Sequence, residues 1–329
     1  CGPWQGDLVP DLEEFLVDRI RRAIELRKGM AGENGGVRLV HGESDLIPGL
    51  VVDRYADVLV VQATTALIDN GLRLISRILG ELLSVRMILA RNDLSVRRLE
   101  NLSEEVVLLE GEPVERVTIE EHGVEHIVRP FAGHKTGMYL DQKPARRRVQ
   151  QLSTGARVLD LFSYQGGFSM AALSGGATSV HLVDQSGTAL EIAKETAGQN
   201  GFAQPESIQG NVFDVIRDLR STGQYYDLVI LDPPAFCKSR REVEGGIRGY
   251  RDLNRGALRL LAPGGRLVTC SCSHHLKAEV FEETIRQAAL DLPFRVFVEE
   301  RLGAGPDHPA LLRLPETEYL KVRILRRWD

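Results

Sequence analysis

The sequence predicts an α/β protein in which a doubly wound sheet over 131–329 follows a smaller α+β domain over 1–130. Three observations carry that expectation. From Pro130 onward, short apolar strands alternate with helical segments, the rhythm of a parallel sheet with helical crossovers. Before Pro130 the strands are short and joined by tight turns at Pro48-Gly49 and His122-Gly123, which favours antiparallel pairing. The 329 residues suffice for two domains, and 43% hydrophobic residues can fill their cores without disulfide staples.

Residues 11–28 read as an amphipathic helix, with Leu12, Phe15, Leu16, Ile20, Ile24 and Leu26 at helical spacing and Gly29 as the stop. Strands are expected at 37–40 and within 50–63, a helix at 67–83, a strand at 86–91 and a hairpin of 114–121 with 124–129. In the second domain a strand at 158–161 leads through Gly166-Gly167 into a helix ending near Leu173. Strand 180–183 with helix 188–200, a strand at Ile208 with helix 214–219, and strand 228–231 follow. A helix over 253–261 should stop at Pro263-Gly264-Gly265, before a strand at 267–270. Strands 294–298 and 319–325 are joined without a full helix, so the last should run antiparallel.

Composition excludes several classes. The longest apolar runs, such as 58–61 and 228–231, are far short of the roughly 20 residues of a membrane span. Asp7, Asp11, Glu13, Glu14 and Asp18 do not suit a signal peptide. Cys1, Cys237, Cys270 and Cys272 are too few for a disulfide framework, so a reducing, cytoplasmic setting is expected. A start at Cys1 instead of Met suggests missing upstream residues. Net charge is −5, unlike a protein that coats nucleic acid, yet 134–148 carries +4 and 238–255 carries +3.

The first strand of the second domain runs into Val158-Leu-Asp-Leu-Phe-Ser-Tyr-Gln-Gly-Gly-Phe168. Ligands of open α/β sheets bind beyond the carboxyl ends of such strands. The dinucleotide pattern G-x-G-x-x-G is absent, and Asp160 stands where a carboxylate would repel pyrophosphate but suit a cationic or amino-bearing ligand. Asp184 closes the second strand, placed for ribose hydroxyls, and Asn211 and Val212 close the third, where an amide and an N–H could read adenine. With Asp232 closing the fourth, the pattern fits S-adenosylmethionine, which has a ribose, an adenine and an amino-acid tail but no phosphate.

Four segments, Phe131-Ala-Gly-His-Lys-Thr-Gly-Met-Tyr-Leu-Asp-Gln142, the 158–168 stretch, Leu231-Asp-Pro-Pro-Ala-Phe236 and Thr269-Cys-Ser-Cys-Ser-His-His275, resemble class I methyltransferases of the large-subunit ribosomal RNA cytosine-5 methyltransferase I type. Residues 38–55, Asp307-His-Pro309 and Tyr319-Leu-Lys321 resemble the same family, in family order. The resemblance implies a Rossmann-like seven-stranded class I methyltransferase sheet, S-adenosylmethionine as donor and RNA cytosine as acceptor. That family opens with an RNA-binding PUA domain; only residues 1–10 precede the first helix here, so that domain is expected to be absent or cut away. Family members often carry Asp at the position of Asn211, whose amide oxygen can still accept from adenine. The donor pocket is expected to draw on Lys135, Thr136, Asp160, Phe162, Ser163, Gly166 and Gly167, and on Asp184, Ser186, Asn211, Val212 and Asp232.

Carbon 5 of a pyrimidine is a poor nucleophile until a thiolate adds to C6, and Cys272, just past the fifth strand, is the cysteine expected to do this. Asp232-Pro233-Pro234 forms a rigid turn that aims an acid at a flat base, with Asp232 as second catalytic residue. Cys270 is expected inside its strand, and Cys237, three residues past Pro234, to be a bystander. A zinc site of Cys237, Cys270, Cys272, His274 and His275 has the wrong spacing, and no metal is expected. Substrate contacts are expected from Tyr139, Gln142, Arg147, Pro233 and Pro234, and from Phe236, Lys238, Arg248, Tyr250 and His274, with the two basic runs guiding an RNA strand and a flipped base.

The function expected is therefore formation of 5-methylcytosine in 23S ribosomal RNA through a covalent Cys272 adduct. Alternatives are N-methylation of an exocyclic amine in RNA, motivated by Asp232-Pro233-Pro234, methylation of a small molecule or protein, and donor binding without turnover. Intact Asp160, Gly166, Asp184 and Asp232 argue against the last. RNA and a second copy of the chain, as a homodimer, are the partners expected; a membrane is not.

Overall fold

The computed structural model describes residues 11–133, 135–237 and 240–329, with only the backbone of Arg240. They divide into two compact units. The first runs through Ile119 and adds Val128–Met138 and Pro306–Leu311; the second holds Glu120–Ile127, Tyr139–Gly305 and Leu312–Asp329.

In the first unit, α1 (Leu12–Leu26) is capped by Asp11, which accepts from the Glu13 N–H, and it buries Leu16, Ile20 and Ala23. The strands β1 (Gly36–His41), β2 (Leu50–Tyr55) and β3 (Val58–Ala63) pair antiparallel in sequence order. The helix expected over 67–83 is two, α2 (Ala66–Asn70) and α3 (Leu72–Leu82), because Gly71 ends one and starts the other. That pair is a crossover, so β4 (Met87–Arg91) lies parallel to β3, a correction to the expected antiparallel half. An unexpected edge strand, β5 (Val106–Gly111), pairs with β4; its side chains are mostly exposed and show no alternation to read.

A buried polar network within this unit joins Arg27 and residues 38–55 to Asp307-His308. Arg27 forks onto Asp45 at 2.7 and 2.8 Å and reaches the Asp307 carbonyl at 3.3 Å. Arg38 forks onto Asp53 at 2.7 and 2.8 Å, and its N–H donates to Asp307 at 3.1 Å. The His41 and His308 rings meet edge to face at 5.1 Å, and burial, with Arg38 next, lowers His41 to about 3. Each buried arginine here faces a carboxylate, which is the condition for burying such charges at all.

The hairpin of β6 (Val117–Glu121) and β7 (Val124–Val128) turns at His122-Gly123, as expected, with both turn residues at positive φ. In the second unit the chain continues as α4 (Lys143–Leu152), β8 (Arg157–Leu161), α5 (Gly167–Ser174), β9 (Ser179–Asp184), α6 (Gly187–Gln199) and β10 (Glu206–Gln209). It proceeds through α7 (Val212–Ser221), β11 (Tyr226–Leu231), α8 (Val243–Leu258), β12 (Leu261–Ser271), α9 (Ala278–Ala289), β13 (Arg295–Leu302) and β14 (Lys321–Trp328). Among the described residues these strands form a seven-stranded sheet, order β10-β9-β8-β11-β12-β14-β13. The neighbours from β10 to β12 pair parallel, and β14 is antiparallel to both β12 and β13, as expected.

Alternation builds the two faces. Leu159, Leu161, Val229 and Leu231 join one core with Leu253 and Phe281, while Val158, Leu228 and Ile230 join the other with Val180 and Val268. Helix α8 starts ten residues before the expected 253. Its glycines read as loop, yet a Cβ on Gly246 would strike Cys237 Sγ, and one on Gly249 would meet the Phe236 ring at 3.3 Å. Close packing, not flexibility, requires them.

Candidate active site

The strand order reverses between β8 and β11, and the carboxyl ends of strands at such a reversal are where open α/β sheets bind their ligands. Asp160 sits one residue before the end of β8, paired with Ile230 across the sheet. It is fully buried. Ser169 of α5 donates to its Oδ2 at 2.6 Å, while Oδ1 has no hydrogen-bond partner among the described residues. Burial first, then the nearby Asp232 and Asp184, raises its pKa to about 7. Asp160, Asp184 and Asp232 thus stand at the carboxyl ends of the neighbouring strands β8, β9 and β11.

The loop after β8 is unusually wound. Phe162 (φ 62°), Tyr164 (φ 49°) and Gly166 (φ 73°) all lie in the left-handed region, which costs non-glycine residues of order 1–3 kcal/mol each. Hydrogen bonds hold it: Ser163 N–H donates to the Val183 carbonyl at 3.0 Å, and Gly166 N–H to the Ser163 carbonyl at 2.8 Å. A Cβ on Gly166 would come within 2.9 Å of Ala193, so glycine is needed for both conformation and space. Ser163 Oγ is buried without a partner among the described residues, a second polar atom facing no protein group.

Asp184, at the end of β9, accepts the Tyr164 N–H on one oxygen and the Ser186 N–H on the other, both at 2.8 Å. Each carboxylate oxygen keeps a lone pair. Ser186 caps α6 through the Ala189 N–H at 3.2 Å. Asn211 caps α7 by accepting the Phe213 N–H at 2.9 Å on its amide oxygen, which keeps a second lone pair. Val212, the first residue of α7, has an N–H that the helix itself cannot satisfy.

Asp232 follows β11, and the Gln142 side chain donates to it at 3.0 Å. Gln142 is buried, so it positions Asp232 more than it reaches outward. Tyr139 lies partly buried with its ring against Tyr164 at 5.8 Å, and burial, with Asp232 next, raises its phenol. Pro233 is buried and Pro234 exposed, so the turn shows its second proline to solvent. His274 stacks on Tyr319 at 5.0 Å.

Of the cysteines among the described residues, Cys237 and Cys270 are buried and Cys272 is partly exposed. Burial pushes both buried thiols up, Cys270 well above its ordinary value. Lys321, unassigned by the sequence, donates to the Ser273 carbonyl next to Cys272 at 2.7 Å. The sequence did not single out the contacts of Ser169 with Asp160, of the Tyr164 N–H with Asp184 or of Lys321 with the Ser273 carbonyl, although Tyr319-Leu-Lys321 was visible as a motif.

Several expected contacts are redistributed. Tyr250 is fully buried, its hydroxyl bonded to Ser271 and Ser273 at 3.0 Å, so it has no surface to offer a base. Phe236 packs on it at 5.0 Å. Arg146 leaves the first basic run: it is buried and forks onto Glu121 at 2.6 and 2.7 Å. Arg148 pairs with Glu300 at 2.6 Å, and Arg255 with Asp291 at 3.0 Å. Arg147, Arg241 and Arg248 stay exposed. Lys135 and Thr136 belong to the first unit, where buried Thr136 donates to Asp53 at 2.6 Å and bonds Tyr55 at 2.8 Å. Lys238 lies outside the described residues. Among the described residues no group of three or more His, Cys, Asp or Glu could hold a metal, and no helix is long and apolar enough to cross a membrane.

A family profile for S-adenosylmethionine-dependent methyltransferases matches residues 37–322. "Ribosomal RNA large subunit methyltransferase I" of Aeromonas salmonicida is 41% identical over 318 residues, 95% of this chain and 80% of that protein. The protein of that name from Vibrio cholerae is 38% identical over 325 residues, 97% of this chain and 82% of its own. The fold is similar to the crystal structure of SMU.776 complexed with SAH, with TM-score 0.86 and 21% identity over 97% of this chain and 83% of that one. A methyltransferase from Agrobacterium tumefaciens gives TM-score 0.61 and 20% identity over 92% and 91% of the two chains. The unpartnered oxygens of Asp160 and Ser163, the carboxylate cluster and the glycine turn suit an amino-bearing sulfonium donor, and with a profile covering most of its length this chain belongs to the S-adenosylmethionine-dependent methyltransferases.

Proposed function

We propose that the chain forms 5-methylcytosine in large-subunit ribosomal RNA, the 23S RNA, by adding Cys272 to C6 of the target cytosine. The observation that carries this reading is the exposure of Cys272 alone among the described cysteines, one strand away from Asp232 and two from Asp160. The names of the relatives support the ribosomal substrate. S-adenosylmethionine supplies an electrophilic methyl group. Asp160 and Ser163 hold its amino-acid end, Asp184 its ribose hydroxyls, and the Val212 N–H with Asn211 its adenine. Cys272 attacks C6, which makes C5 nucleophilic, and Asp232 with the Pro233-Pro234 turn holds the base edge. Mass spectrometry of nucleosides from RNA treated with enzyme and labelled donor tests the assignment: label in 5-methylcytidine is expected. Label in an N-methylated base would favour the amine chemistry to which Asp232-Pro233-Pro234 is also suited.

Two further outcomes are expected. Asp184→Ala should weaken donor binding by about 1.5–3 kcal/mol, the worth of a charge-assisted hydrogen bond, as read by calorimetry. Unchanged affinity would remove Asp184 from the pocket. Replacing Arg147, Arg241 and Arg248 with glutamine should reduce the slope of log affinity against log salt for RNA by about 2, three single-strand phosphate contacts. An unaltered slope would place the RNA on another face.

A further inference from the structure

Asp160 lies in β8 and Ser169 is the third residue of α5, so the bond between them closes the whole wound loop that separates strand from helix. Both side chains are buried. A serine within a helix can turn its hydroxyl back onto its own backbone or direct it elsewhere. Here it donates to Asp160 Oδ2 at 2.6 Å. The Ser169 N–H, in the turn whose amides have no partner within the helix, also favours the ionised carboxyl. Oδ1 is then the oxygen left without a hydrogen bond among the described residues. A buried carboxylate oxygen in that state is costly unless a ligand's donor or cation meets it.

We propose that Ser169 is the positioning residue of Asp160: its hydroxyl fixes Oδ2, leaves Oδ1 for the amino-acid end of S-adenosylmethionine, and favours the ionised carboxyl that this cationic end requires. This rests on the reading of Asp160 as a group that holds that end. Other charges near Asp160 do not do the same work. Asp232 after β11 and Asp184 at the end of β9 both disfavour its ionisation. Cys270 on β12 is raised well above its ordinary value and stays a neutral thiol. Arg146 of α4 lies beside Gly167 at the start of α5, but its guanidinium is forked onto Glu121. Against burial and the two carboxylates, the Ser169 hydroxyl is the largest influence in the other direction. A hydrogen bond given to the charged form of a carboxyl favours that form, so without the hydroxyl Asp160 would stay protonated over more of the neutral range.

The test is calorimetric titration of the full chain with S-adenosylmethionine at a series of pH values. In Ser169→Ala the midpoint below which affinity falls should rise by about one unit, the share of one hydrogen bond in a carboxylate held by two or three. From a starting midpoint of about 7, binding near neutral pH should then be about fivefold weaker, and the gap should narrow toward alkaline pH. The α-amino group of the donor titrates near about 8, but does so alike for both proteins, so the difference between them isolates Asp160. On the Asp160→Asn background the same serine substitution should change affinity little, because the carboxyl it acts on is gone. Should the alanine variant not fold, Ser169→Cys, a weaker donor of similar size, should move the midpoint the same way by less. A loss equal at every pH with the midpoint unmoved, or a full loss on the Asp160→Asn background, overturns the proposal. A flat wild-type profile would instead sink the reading of Asp160 itself, and the role of Ser169 with it.

Discussion

Cys272→Ala is expected to lower methyl transfer by roughly 10³-fold or more while leaving S-adenosylmethionine affinity unchanged. The groups proposed to hold the donor lie on β8, on β9 and at the start of α7, whereas Cys272 follows β12. RNA carrying 5-fluorocytidine at the target makes the same point covalently. Addition forms the Sγ–C6 bond, C5 takes the methyl group, and release then needs the C5 proton to leave as the Sγ–C6 bond breaks. Fluorine at C5 cannot leave as a proton, so the wild-type chain should be trapped on the RNA. Cys272→Ala should give no adduct. Cys237→Ala and Cys270→Ala should still give one, since burial hides both thiols and raises them. An exocyclic nitrogen needs no thiol to accept a methyl group, so a fully active Cys272→Ala enzyme would move the reaction to the amine.

The parallel half of the sheet was legible because its strands are buried on both faces and read as short apolar runs ending in Asp160, Asp184 and Asp232. Where glycine or exposure obscured the pattern, the sequence misled. Gly245, Gly246 and Gly249 hid the first ten residues of α8, and with them the inward face that carries Tyr250. Charge counting failed in a different way. Arg146 counts as +1 in a basic run, but its partner Glu121 comes from a hairpin 25 residues earlier, and no local window contains both. The candidate site was legible where a residue type alone suggests the chemistry proposed for it, as with Cys272. It was not legible where a neighbour from a distant strand does the work, as Lys321 does for the Ser273 carbonyl.

Asp160→Asn is expected to make the protein more stable and less able to bind its donor. In the folded chain Asp160 titrates near 7, against about 4 for an exposed carboxylate, because it is buried and faces Asp232 and Asp184. A carboxyl raised by folding stabilises the fold when protonated, and that contribution is lost as pH rises from about 4 through 7. By pH 8 the cost is a few kcal/mol, on the order of 1.4 per pKa unit. Asparagine removes it: its carbonyl can accept the Ser169 hydroxyl, and its NH₂ takes the place of the unpartnered Oδ1 beside two carboxylates. The variant should therefore melt about 5 °C or more above wild type at pH 8, with the gap closing toward pH 5. A cationic donor reverses the preference, because it favours the ionised carboxylate and must expel the proton to bind. Wild-type affinity should accordingly fall as pH drops below about 7, by up to tenfold per unit, whereas Asp160→Asn should bind weakly and without that pH dependence. Calorimetric titration at a series of pH values, beside thermal melts of both proteins, separates the two effects. A variant that melts no higher, or a wild-type affinity flat across this range, would mean that the strained loop after β8 is not organised around an unpaired carboxylate.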